Sequence, residues 1–165
     1  MNSTKTVIKV GIGDLKIAHA PNAIRTTGLG SCVGVVVYDL PKKIAGLAHV
    51  MLPDSQLARN LNVNMMKYAD TAIDMLIAQL IENGARKFAL QAKMAGGAQM
   101  FQFSEKADTM RIGPRNAEAV EKKLVMHHIP IVAADLGGNC GRTIEFDTET
   151  GQLLIRTVSK GEKII

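Results

Sequence analysis

Two side chains in this sequence could do nucleophilic chemistry together: a cysteine behind a glycine-rich bend, and a histidine one hairpin away. Cys32 lies in residues 25–34, RTTGLGSCVG, after Gly28 and Gly30 and directly ahead of the β-branched run VGVVVYD. Glycine lets a backbone turn through conformations closed to other residues. Successive N–H groups of Gly30, Ser31 and Cys32 can then converge as a nest for negative charge, favouring a thiolate and holding an oxyanion. A thiol in such a site is expected to have a lowered pKa if it pairs with a base.

The base is offered by His49. If the turn after VGVVVYD is centred near Pro41, facing residues have numbers that sum to about 81 or 83. In the first register Cys32 faces His49. In the second, with residues 40–43 as a four-residue loop, the two are diagonal. Both registers place the side chains on one face of the sheet, at roughly 4.5–5.5 Å or 7–8 Å. The same residues also fit plainer roles: Gly28 and Gly30 as a tight loop, Cys32 as a small core residue, His49 as a hydrogen-bonded histidine on an apolar strand.

Other chemistries fit less well. Gly30-Ser31-Cys32-Val33-Gly34 matches the cysteine form of a nucleophile elbow, but a strand-forming run follows where an elbow needs a helix. A dinucleotide-binding glycine motif fails because Val33 stands where its third glycine belongs. The second thiol, Cys140, sits in a glycine-rich loop far from Cys32, and no Cys-x-x-Cys pair exists. His19, His127 and His128 have no metal-ligand spacing, so neither metal nor cofactor is expected.

The elements that must position Cys32 and His49 read as mostly strands. Residues 6–10, 15–18, 33–39 and 44–51 are strand-like, with turns between them. The periodicity predicts a helix over 64–83, with Met65, Tyr68, Ala69, Ala72, Ile73, Leu76 and Leu80 on one side and Gly84 closing it. A strand is expected over 87–92, and a second helix over 117–127 with Asn116 as N-cap. Residues 129–134, 142–146 and 153–158 read as closing strands. Eight strands against two helices, many joined by short turns, predict a mixed α+β domain with much antiparallel pairing, spanning residues 1–165 as a single domain.

Composition narrows the class. Apolar residues at 47% and charged residues at 21% describe a globular chain of one-domain size. The net charge of +5 is spread thinly, and with 4% aromatics and no Trp the stacking platforms of a single-strand nucleic-acid binder are missing. No apolar run approaches the roughly 20 residues of a membrane helix, and no signal peptide is evident. A cytoplasmic protein with free thiols is expected.

Several blocks together carry a resemblance. Thr26-x-Gly28-Leu29-Gly30-Ser31-Cys32, His49 in AHVMLPDS, Lys67-Tyr68-Ala69-Asp70, AKMAGGA at 92–98, IGPRN at 112–116 and Asp135-Leu136-Gly137-Gly138 occur in this order. From about residue 7 to 160 the chain resembles the chemoreceptor glutamine deamidases of chemotaxis, the CheD family. The resemblance implies an α/β domain with a layered strand core and outer helices. It also implies a cytoplasmic hydrolase, a protein-glutamine glutaminase, that converts glutamines on chemoreceptor cytoplasmic helices to glutamate. Carried over by position, Cys32 is the nucleophile, His49 the general base and Thr26 the group that orients His49. A cysteine thioester would form, with the oxyanion held by backbone N–H groups around Gly30 and Ser31. The family also binds a CheC-type phosphatase and raises its activity. Ala134 departs from the acidic residue often found before the Asp of the Asp-x-Gly-Gly block, and Cys140 matches no catalytic position. Transglutaminases share the thioester, so the residues alone leave deamidation and amine transfer both open.

Overall fold

The runs VGVVVYD and IAGLAHV become β4 (Val33–Asp39) and β5 (Ile44–Val50), and every residue of both is buried. Such unbroken apolar runs suit strands covered on both faces. The computed structural model, which describes residues 4–57, 64–99 and 111–165, shows both covers. On one side lie the two α-helices, α1 (Ala69–Glu82) and α2 (Ile112–Met126). On the other lies a second sheet. The result is the layered α+β architecture expected, with ten strands among the described residues.

The central sheet contains β2 (Leu15–His19), β5, β4, β6 (Gln91–Gly96) and β7 (Ile131–Leu136), in that order. The outer sheet contains β1 (Val7–Val10), β3 (Ala23–Leu29), β8 (Arg142–Asp147), β9 (Leu153–Thr157) and β10 (Gly161–Ile164). Most neighbours pair antiparallel; β1–β3 and β6–β7 are parallel. Alternation along β4 sends Val33, Val35 and Val37 toward Ile73, Leu76, Leu80, Val120 and Leu124 of the helices. Val36 and Tyr38, with Leu47 of β5, face Ile24, Leu29, Ile144, Phe146 and Ile155 of the outer sheet. Cys32 packs against this inter-sheet core.

Five elements differ from the sequence expectation. Helix α1 begins at Ala69, not 64, because the Lys67 carbonyl accepts from the N–H groups of Met51 and Leu52, holding that segment extended. Its end is as expected: Gly84 has φ +104° and donates to the Ile81 carbonyl. The strand expected over 87–92 is a 3-10 turn at Lys87–Ala89 followed by β6. Helix α2 begins at Ile112, five residues before the expected start. Pro114 sits in the first turn, where N–H groups have no partner within a helix, so proline is tolerated there. Strands β3 and β10 were not expected at all.

Candidate active site

The chain leaves the outer sheet at Leu29, the end of β3, and enters the central sheet at Val33, the start of β4. Residues 30–32 make that crossing. Cys32 therefore stands where the two sheets meet, with Thr26 on one sheet and His49 on the other.

The hairpin adopts the second of the two registers. Gly34 lies opposite His49 and Val33 opposite Val50, with residues 40–43 as the loop. Cys32 is thus diagonal to His49, on the same face. A Cβ on Gly34 would meet Ile144 Cδ1 at 2.6 Å, Leu29 Cδ1 at 3.1 Å and Thr26 Cγ2 at 3.5 Å. The missing side chain lets the outer sheet close in, so that Thr26 reaches across to the imidazole.

That contact is direct. Thr26 Oγ1 lies 2.7 Å from His49 Nδ1 and 2.8 Å from the Val10 carbonyl oxygen. Both side chains are buried. A hydroxyl has one proton, and the carbonyl can only accept, so the hydroxyl donates to Val10 and accepts from Nδ1–H. This assigns the tautomer: the free lone pair of the neutral ring is on Nε2. Nε2 is buried and has no hydrogen-bond partner. The structure therefore joins Thr26 to His49, while Nε2 makes no hydrogen bond to the Cys32 thiol. The backbone of His49 is held as well, its N–H donating to the Asp14 carbonyl and its C=O accepting from Gly13 N–H.

Electrostatics set the resting protonation. Burial lowers the His49 pKa to about 4, so the ring is neutral near pH 7. Burial also pushes the Cys32 thiol up, offset only in part by a hydrogen bond from its own backbone N–H. The lowered thiol pKa expected from the sequence is not found. The glycine bend supplies less stabilisation to the sulfur than burial removes, and the resting pair is thiol and imidazole rather than an ion pair.

The expected three-donor nest is also reduced. Gly30 N–H donates to the Gly28 carbonyl, closing a tight turn behind Gly28, whose φ is +74°. The three carbonyls of the crossing point elsewhere. That of Gly30 accepts from Ala98 N–H, that of Ser31 from Asn116 Nδ2, and that of Cys32 from Gly97 N–H. Among the described residues, Ser31 and Cys32 N–H donate to no other residue. At rest the Cys32 N–H reaches only its own sulfur.

The supporting residues were not recognised from sequence. Asn116, expected as an N-cap, is fully buried inside α2. Gly96 has φ +116°, and a Cβ there would sit 2.3 Å from the Cys32 carbonyl oxygen. Gly113 on α2 packs so closely that a Cβ would come within 2.2 Å of the Ala98 carbonyl. The glycine-rich block at 93–97 and the block at 113–116 thus form the wall behind the turn that carries Cys32. An asparagine four residues into a helix, two positions after a Gly-Pro pair, was the available signal, since Asn is a poor helix former away from caps. Cys140 lies apart, half-buried in the loop between β7 and β8. Asp135 of β7 is paired with Arg142 and Lys163. No group of His, Cys, Asp and Glu suited to a metal occurs among the described residues, and no helix there is long and apolar enough to cross a membrane.

Comparison with known proteins gives a consistent answer. Residues 51–157 match a family model described as CheD chemotactic sensory transduction. The chain is 56% identical to the chemoreceptor glutamine deamidase CheD of Bacillus subtilis over the full length of both. It is 59% identical to the protein of that name from Halalkalibacterium halodurans, covering 96% of this chain and 98% of the relative. With that of Bacillus licheniformis the identity is 56%, over 94% of this chain and 93% of the relative.

Proposed function

This chain belongs to the CheD family, and from that premise we propose that it is a protein-glutamine deamidase acting on chemoreceptor glutamines through Cys32, His49 and Thr26. The observation that carries the reading is the buried hydrogen bond from His49 Nδ1–H to Thr26, which leaves an unpartnered Nε2 lone pair facing the side of the sheet that holds Cys32. The names of the relatives supply the substrate class.

The steps follow from the protonation states. Cys32 Sγ attacks the carboxamide carbon of a substrate glutamine as its proton passes to His49 Nε2. The carbonyl oxygen becomes an oxyanion, held by the N–H groups of Ser31 and Cys32. Thr26 stabilises the imidazolium by accepting from Nδ1–H, the part of the third member of a triad. The imidazolium returns its proton to the amide nitrogen, the C–N bond breaks and ammonia leaves a thioester. A water then attacks the thioester carbon, giving its proton to Nε2. The C–S bond breaks, the sulfur recovers the proton, and glutamate is released. A low resting pKa of His49 keeps the base neutral, and the oxyanion provides the negative charge that makes a buried imidazolium tolerable in the transition state.

The test is a receptor-helix peptide bearing glutamine, with ammonia release measured and glutamate formation followed by mass spectrometry. Parent protein and Cys140→Ser should both convert it, with and without an added primary amine, and no amine should be incorporated. Cys32→Ala should be inactive. Ammonia release by Cys32→Ala would refute the nucleophile, and amine incorporation would refute hydrolysis as the outcome. The partnership with a CheC-type phosphatase rests on family membership; co-purification with Cys32→Ala should persist, because binding does not need the thiol.

A further inference from the structure

We infer that Asn116 is a positioning residue that aims the oxyanion-binding N–H of Cys32, an inference that rests on the deamidase reading above. Asn116 is fully buried on α2, on the helix-covered side of the central sheet. Its Nδ2 donates to two carbonyls, Ser31 O at 3.0 Å and Met51 O at 2.9 Å. Ser31 immediately precedes the nucleophile. Met51 lies two residues beyond His49. One amide group therefore ties the nucleophile turn to the strand of the base.

The consequence for the chemistry comes from peptide geometry. The Ser31 C=O and the Cys32 N–H belong to the same planar peptide unit, which is trans, so they point in opposite directions. Pulling the carbonyl toward α2 turns the N–H toward the opposite side, where the sulfur packs against the inter-sheet core. That N–H already reaches its own sulfur, so it lies beside the atom that will bond to the carbon carrying the oxyanion. The neighbouring unit is fixed likewise, by Ala98 N–H on the Gly30 carbonyl, but from the backbone. Asn116 is the one side chain among the described residues that holds the turn in this way. Its Oδ1 is buried without a partner. Such a group is costly to keep, and its retention fits a residue held in place for the donations of its Nδ2.

Two chemistries of the same sulfur differ in their need for this donor. Deamidation forms an oxyanion; alkylation by iodoacetamide does not. The variants are Asn116→Ala, which deletes both donations, and Asn116→Asp, which keeps the shape and loses the amide donor. Each is measured for kcat and KM on the receptor peptide, and for the alkylation rate of Cys32 by peptide mapping. Loss of an oxyanion donor typically costs about 100- to 1,000-fold in kcat, and a misaimed donor should cost about 10- to 100-fold. We expect that fall in kcat, little change in KM, and an alkylation rate that falls far less than kcat, because the donor then serves only the thiolate and no oxyanion forms. Full turnover in both variants would overturn the inference, as would equal losses of turnover and alkylation. Failure of both to melt cooperatively would also count against it, assigning Asn116 to the framework. Cys32→Ala run alongside keeps the readings apart: if that variant still turns over, the deamidase mechanism itself is at fault.

Discussion

Replacing Thr26 with Val tests the hydroxyl that sits between the two sheets. The change keeps the branched shape and removes one oxygen, which serves His49 Nδ1 at 2.7 Å and the Val10 carbonyl at 2.8 Å. Two consequences can be sized. In the resting ring, Nδ1–H loses its acceptor, and a neutral hydrogen bond of about 1–1.5 kcal/mol no longer favours the tautomer with a free Nε2. In the transition state the ring is an imidazolium, and the bond lost there is charge-assisted, about 1.5–3 kcal/mol. At about 1.36 kcal/mol per decade, kcat/KM should fall about 10- to 150-fold. Stability should fall by about 1–3 kcal/mol, since a buried N–H is left unpaired. Thr26→Ser restores the oxygen and should stay within about threefold of the parent. The assay is ammonia release from the receptor peptide at a temperature well below both melting transitions, with the imidazole tautomer read from nitrogen NMR shifts. If Thr26→Val matches the parent while folded, or if Ser is as damaging as Val, Thr26 does not orient the base.

Acid should act through His49. Its pKa is about 4 in the folded protein, against 6.5 for an unperturbed histidine side chain, so between these values the unfolded chain binds more protons. Stability therefore declines as pH falls from about 6.5 to about 4, by roughly 3 kcal/mol, and is regained on return to neutrality. Urea melts at pH 7 and pH 4.5, compared with a His49→Gln variant, should show the slope shrink in the variant; an unchanged slope would mean another group is responsible. The acid limb of kcat/KM should likewise lie near pH 4, not near 6.5. Gly96→Ala should be more damaging than an ordinary surface substitution. Its Cβ would strike the Cys32 carbonyl, and φ is +116°, so at least about 1–3 kcal/mol of stability and most turnover should be lost. A melting curve and ammonia assay equal to the parent's would show that the turn carrying Cys32 tolerates displacement.

Much of this molecule could be read before its structure. The two apolar runs around Pro41 implied a hairpin, and a period of two places Cys32 and His49 on one face in either register. The helical face of α1 and the glycine that ends it follow from periodicity and from the φ only glycine adopts readily. These are local properties, carried by neighbours in the chain. Distant contacts left no such mark. Whether the register summed to 81 or 83 depended on the whole sheet, and Asn116 looked like a cap because its two carbonyl partners are 85 and 65 residues away. Burial was equally hidden. A glycine-rich bend suggested an activated thiolate, but only the packing of one sheet on another removes water from Cys32 and His49, and that desolvation holds both neutral. Sequence thus determined which groups could react and which face they share. The tertiary structure decided their protonation, their tautomer and which backbone donors remain free, because each of these depends on what long-range folding brings against them.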